Sequence, residues 1–334
     1  MAVLSDKRKA IDFCVIGGAY ILLGAVTIYL PLFYVITSLL LPVAPALIVR
    51  RLDLRFGLAS LVPAGAVFFL LSGGDPYLPV MLVLQTGLLG ILLGLIFKNN
   101  VPSGRAIVIV MGFSLIAAAG TLYANYIVSG ANPFVLNQVY REFFDLERQY
   151  IDELASGGDT AVVFDPDVAR EMVSRLEAAW PVLSTAAAII WYMISGFITY
   201  WLTRRFISRG GYSVPPPIPF SRWKLPWYAI WGVIAGLLIM LAGNWHNNTG
   251  LENAGKVVLW VMGFVFLVLG ISVSDFYLRR WKVSRPMKIL IVVVAGFFLH
   301  LAVIALIALG TTDAVANMRR LSKDGRVPEE GDKK

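Results

Sequence analysis

The chain has 334 residues, 58% of them hydrophobic and 15% charged, with a formal net charge of +8 and a mean hydropathy of +0.73. Ordinary soluble domains carry about 25% charged residues, so these values exclude a water-soluble globular fold and leave no room for a large soluble domain beside a membrane bundle. The one cysteine, Cys14, excludes an internal disulfide or a cysteine-only metal cage, and the two histidines, His246 and His300, argue against a multi-histidine metal site.

The organising feature is a series of about nine apolar runs, each long enough to cross the roughly 30 Å of bilayer hydrocarbon as a helix. Helices are required because lipid offers the backbone no hydrogen-bond partners. In chain order the predicted spans are Ile11–Leu30, reversed at Pro31; Leu32–Val49, closed by Arg50, Arg51 and Arg55; Gly57–Leu71, ending in Ser72-Gly73-Gly74-Asp75-Pro76; and Leu78–Phe97, followed by Lys98 and Arg105. Ala106–Val128 is the fifth, and a polar segment over residues 129–179 separates it from the sixth, Trp180–Leu202, closed by Arg204, Arg205 and Arg209. The proline-rich stretch Val214–Pro226 leads to the seventh span, Trp227–Ala242, and a short loop, Gly243–Gly255, to the eighth, Val257–Leu278. Arg279, Arg280, Lys282, Arg285 and Lys288 precede the ninth, Ile289–Leu309, and a charged tail follows.

The basic residues sit at the ends of apolar runs, where they fix orientation rather than bind nucleic acid. The stretch Asp6-Lys7-Arg8-Lys9 before an apolar run reads as a cytoplasmic start of the first span; the run is too long for a signal peptide, with no small-residue cleavage site after it. Every arginine-rich loop from Arg50 to Lys288 then falls on the cytoplasmic side, and the loops near Pro31, Gly74, 129–179 and Asn244–Glu252 fall outside. Nine spans put Arg319, Arg320 and Lys323 outside, against the rule; if one run is a half-helix, the count is eight and the tail is inside. The predicted location is the inner (cytoplasmic) membrane, multi-pass.

The fold class expected is all-α, a polytopic bundle with an external amphipathic helical hairpin between spans five and six. Residues 1–209 form a six-helix domain, 210–226 a stiff cytoplasmic linker, 227–310 a three-helix region and 311–334 the tail. In the hairpin Val139, Phe143, Leu146, Tyr150 and Leu154 recur at three- and four-residue steps and make one stripe; Asp165-Pro166 opens a second helix with Val168, Met172 and Leu176 on its apolar face. The hairpin reads as packed on the membrane surface, or alternatively as a lid or docking surface.

Polar groups inside lipid are costly. Gln85, Asn125 and Tyr192 are the candidate lining of a ligand site, with Gln85 and Asn125 alternatively serving to hold helices together. His300 is either a proton-coupled or ligand-binding group, or a neutral histidine bonded to a neighbouring helix. Asp275 and Arg279 read as a helical ion pair. Gly90 and Gly94, Gly232 and Gly236, and Ala10, Cys14 and Gly18 form stripes of small residues, as close-packed helices do. No phosphate-binding glycine loop, zinc motif or nucleophile elbow is present, so no catalytic residue, metal or cofactor is assigned. Asn247-Asn248-Thr249 fits a glycosylation sequon.

Pro215-Pro216-Pro217-Ile218-Pro219-Phe220, then Trp223-Lys224-Leu225-Pro226 before the seventh span, then Gly310-Thr311-Thr312-Asp313 followed by Arg319-Arg320, resemble in order and spacing the YybS-like family of bacterial integral membrane proteins of unknown function. The resemblance covers nearly the whole chain; Ala314–Met318 lacks the aromatic residues of the family pattern. The family's first six helices are similar to the substrate-capturing S components of energy-coupling-factor transporters. That likeness implies a partner-docking stripe at Ala10, Cys14 and Gly18, and Asp313, Arg319 and Arg320 of the YybS-like pattern are candidate partner contacts as well. The S-component loop over the ligand is here only the turn at Pro31. Three functions remain open: a transporter-like or small-molecule-binding protein, a scaffold in a membrane or envelope complex using the hairpin and basic loops, and an intramembrane enzyme using His300. The partners expected are the lipid bilayer, a membrane protein and a small-molecule ligand.

Overall fold

The computed structural model describes residues 2–156 and 165–320. The parts of the hairpin turn at Gly157–Asp159 and of the tail beyond Arg320 lie outside the described residues. Among those described, every regular element is helical, and nine segments are long and apolar enough to span a membrane. The protein is an all-α, multi-span helical bundle. Its residues cluster into two compact units, 1–121 with 191–218, and 122–190 with 219–334. The division falls inside two long helices, after residues 121 and 190, and within the proline-rich stretch, between Ile218 and Pro219.

The first unit contains α1 (Ala2–Tyr29), α2 (Tyr34–Leu40), α3 (Val43–Arg51), α4 (Leu54–Leu71), α5 (Tyr77–Leu82), α6 (Leu88–Lys98) and the first part of α7 (Ser103–Ser129). The second predicted span is broken, because Pro42 and Pro45 supply no backbone N–H to continue the ladder. The Leu39 carbonyl at the break accepts instead from the Thr199 hydroxyl at 3.3 Å. Gly90 and Gly94 let α6 meet α3 closely: a Cβ on Gly90 would fall 2.4 Å from the Pro42 carbonyl oxygen, and one on Gly94 2.6 Å from Val49 Cβ. Tyr20, Leu41, Ile48, Phe68 and their neighbours fill the core between α1, α3 and α4. Asp53 caps α4 by accepting from the Leu54 N–H and binds Lys98 Nζ at 2.7 Å.

The second unit contains α8 (Gln138–Ser156), the first half of α9 (Pro166–Arg209), α10 (Ile230–Trp245), α11 (Thr249–Arg280), α12 (Arg285–Phe297) and α13 (Leu299–Ala316). α10 and α11 form a hairpin longer than the sequence suggests. The expected loop 243–255 is mostly helical, since a Cβ on Gly243 would fall 2.2 Å from the Glu252 nitrogen and one on Gly255 2.3 Å from the Met240 nitrogen. Gly232 and Gly236 face Met262 and Leu259 across the same seam. The ninth predicted span is not continuous: Phe298 leaves the helical conformation and separates α12 from α13. The membrane-length helix there is Leu299–Ala316, displaced from the expected 289–309.

α9 runs unbroken for 44 residues, about 66 Å, twice what the bilayer core needs. The predicted sixth span and the second hairpin helix are therefore one rod. α8 packs antiparallel on its first part through Phe144, Trp180 and buried Ile151, with Arg148 paired to Glu177 and Arg170 to Asp152. The expected apolar stripe does not make this seam. Leu146, Tyr150 and Met172 are all at least 60% exposed, because Phe144 and Ile151, on the other side of α8, take the contact.

Candidate functional site

The π-helical turn Val83–Gly87 sits between α5 and α6. Such a turn widens the helix and re-aims its side chains, a feature frequent at functional sites. Here it sends two polar side chains to different neighbours. Thr86 meets the buried Tyr20 hydroxyl at 3.3 Å. Gln85 donates from Nε2 to the Thr121 hydroxyl at 2.8 Å, and that hydroxyl lies 3.0 Å from the Tyr192 hydroxyl. Tyr192 also bonds Gln85, and Tyr34 and Tyr77 lie near enough to act electrostatically on its hydroxyl. Gln85, Thr121 and Tyr192 thus bring α7 and α9 to the π-turn, and all three are only half-buried.

Their depth is consistent from two directions. Gln85 lies about 12 Å along the axis from Tyr77, and Thr121 about 12 Å from Ser129. Each distance is measured along the residue's own helix. The cluster carries no formal charge. It can exchange hydrogen bonds with a neutral or zwitterionic molecule.

Of the residues expected from sequence to line a site, Gln85 and Tyr192 stand together. Thr121, which joins them, lacked any sequence signal because a threonine bonding back to the Ala117 carbonyl is ordinary in a helix. Asn125 is exposed one turn further along α7, in the second unit. His300 is exposed at the start of α13, just past the Phe298 break. Ala10, Cys14 and Gly18 form an exposed face of α1, with open space beside Gly18.

Asp313 and Arg319 turn inward. The Arg319 side chain is 0% exposed and pairs with Asp313 at 2.8 Å. Its remaining donors reach the Ser221 carbonyl at 2.7 Å, the Ser272 hydroxyl at 3.0 Å and the Trp223 carbonyl at 2.5 Å. Its backbone N–H donates to Asp313 Oδ1 at 3.2 Å. Ser272 in turn donates to the Phe220 carbonyl at 2.6 Å. Both members of the pair are spent inside the chain, and Arg320 remains exposed. In the first unit the Pro215 and Pro216 carbonyls accept from Arg204 and Ser103. A proline-rich stretch offers acceptors without donors, and side chains from the helices supply the donors. The stretch is a bound strap.

Among the described residues no three His, Cys, Asp or Glu side chains group as a metal site. Spans, breaks and buried polar network together define a polytopic helical membrane protein. The chain belongs to the DUF2232 family of predicted membrane proteins, whose profile matches residues 18–314. Searches of curated proteins and of solved structures find no match.

Proposed function

We propose that this protein binds a small polar molecule at the Gln85–Thr121–Tyr192 cluster and handles it as a transporter or capture subunit does. The observation that carries the reading is the partial exposure of three polar side chains at span depth, around a π-turn. Polar surface left facing hydrocarbon is unfavourable, so the cluster calls for water or a ligand to cover it. The resemblance of the first six predicted spans to those of S components supports the same reading, as analogy. In this proposal the basic loops lie in the cytoplasm with the N-terminus, in an inner membrane, and the cluster opens toward the opposite face.

The test is thermal unfolding of the purified full-length protein against a panel of neutral and zwitterionic metabolites, with Gln85→Leu and Tyr192→Phe in parallel. A stabilising compound whose effect disappears in both variants supports the proposal. Stabilisation that persists unchanged in both removes the cluster from the site, and a panel without any stabilising compound counts against binding of this class.

A second reading, a scaffold in a membrane complex, is favoured by the stripe on the hairpin. On α8 and on the start of α9 the exposed apolar residues lie about 130° round from the seam in the same sense, at about 100° per residue. Because the two helices are antiparallel, both stripes fall on one side of the hairpin, which is where a partner helix would lie.

A further inference from the structure

A polar hollow on the last turns of α9 has no role in either reading. Trp201, Arg204, Arg205 and Ser208, at the spacing of one helix face, line an open depression of about 200 Å³. Arg204 holds the Pro215 carbonyl at 3.0 Å through Nη2, while its Nε is buried and unpaired. The Arg205 guanidinium lies over the Trp201 ring, 5.5 Å from its centroid. Among the described residues neither arginine has a carboxylate at ion-pair distance. At the end of α3 in the same unit, Arg50 also keeps a buried, unpaired Nε while its guanidinium stacks over Tyr212.

Adjacent guanidinium groups repel one another unless an anion lies between them. Their planar donor forks match the oxygens of phosphate or carboxylate, and phosphate is the one that lipid headgroups carry at this depth. Ser208 adds a hydroxyl. Trp201 is a half-exposed indole at a span end, where such rings sit at headgroup level. We propose that this hollow binds a phosphate-bearing anion, and that the bilayer supplies it as the headgroup of an anionic phospholipid.

The test is native mass spectrometry of the full-length protein released from mild detergent with added phosphatidylglycerol, phosphatidylcholine or inorganic phosphate. Wild type is expected to retain phosphatidylglycerol in preference to phosphatidylcholine. Retention should fall about fivefold in Arg205→Gln and about thirtyfold in Arg204→Gln/Arg205→Gln, with Lys282→Gln unchanged. Arg205→Gln leaves the Arg204–Pro215 bond in place, so its unfolding temperature should match wild type and keep the comparison valid if the double variant fails to fold. Competition by millimolar inorganic phosphate would assign the hollow to free phosphate and overturn the lipid source. Equal retention by wild type and Arg205→Gln, or equal retention of the two lipids, would overturn the site.

Discussion

Arg319 illustrates how much a single side chain can organise. A guanidinium removed from water is tolerable only when its donors are matched, and here they meet Asp313, two carbonyls and a hydroxyl. Truncating one member of such a pair strands the other, at a cost of about 3–5 kcal/mol. Arg319→Leu and Asp313→Asn should each lower the unfolding temperature in detergent sharply. Arg319→Leu/Asp313→Leu should cost less than the sum of the separate Leu substitutions; an additive result would mean that the two residues act independently. Asp53 behaves differently because it is exposed. The Lys98 hydrogen bond, then the Leu54 N–H and the Lys98 charge, hold its carboxyl below the ordinary value of 3.8. A lowered folded value means that the stabilisation is fully present above about pH 3.8 and is lost as pH falls through the lower folded value. The stability gap between wild type and Asp53→Asn should therefore be constant at neutral pH and close in acid. A gap unchanged down to pH 2 would show that the carboxylate charge is not its source.

Helices are where sequence and structure agree best and where their differences have plain causes. Span positions were legible because about 20 apolar residues between charges have few alternatives in lipid. The small-residue pairs Gly90/Gly94 and Gly232/Gly236 were legible as stripes but not as partners, since spacing says nothing about which helix arrives. The π-turn under Gln85 left no trace in the sequence, and so neither did the junction of Gln85 with Thr121. The hairpin stripe was legible as a stripe, but the seam through Phe144 and Ile151 was not, because periodicity marks the more apolar face and says nothing of which residues meet the other helix. Two predictions follow from the helix contacts. A Cβ on Gly310 would fall 2.1 Å from the Phe266 carbonyl oxygen, and one on Gly270 1.9 Å from that of Leu306. Gly310→Val should force α13 from α11, destabilising the protein by at least the ~1–3 kcal/mol of an overpacked core, whereas Gly18→Ala on the open face of α1 should leave the unfolding temperature unchanged. Comparable losses from both would contradict the packing described here. On α8, Phe144→Ala should cost about 3–5 kcal/mol, while Leu146→Glu should leave stability within about 0.5 kcal/mol; in the scaffold reading Leu146→Glu should also abolish co-purification of a partner without disturbing the fold.

At the scale of the molecule, the open matter in the sequence was where the chain ends, because an odd number of crossings put a basic tail on the acidic face. Arg319 fixes which end of its own unit the last described residues reach. It bonds the 221–223 strap, just before α10, and Ser272, near the end of α11 that carries Arg279 and Arg280. The chain leaves that end through Arg285 and returns to it by Arg319, so α12 and α13 make one excursion that reverses near Phe298. The 13 residues of α12 cover about 20 Å, less than a full crossing, as a partial entry requires. The basic residues at 279–280 and 319–320 then lie at one end of this unit. In a Cys14→Ser background, single cysteines placed at Lys282 and at Arg320 should be labelled by an impermeant maleimide from the same side of intact or inverted membranes, and a cysteine at Gly74 from the other. Labelling of positions 282 and 320 from opposite sides would mean that the last apolar run crosses completely, and the Arg319 network could not then form as described.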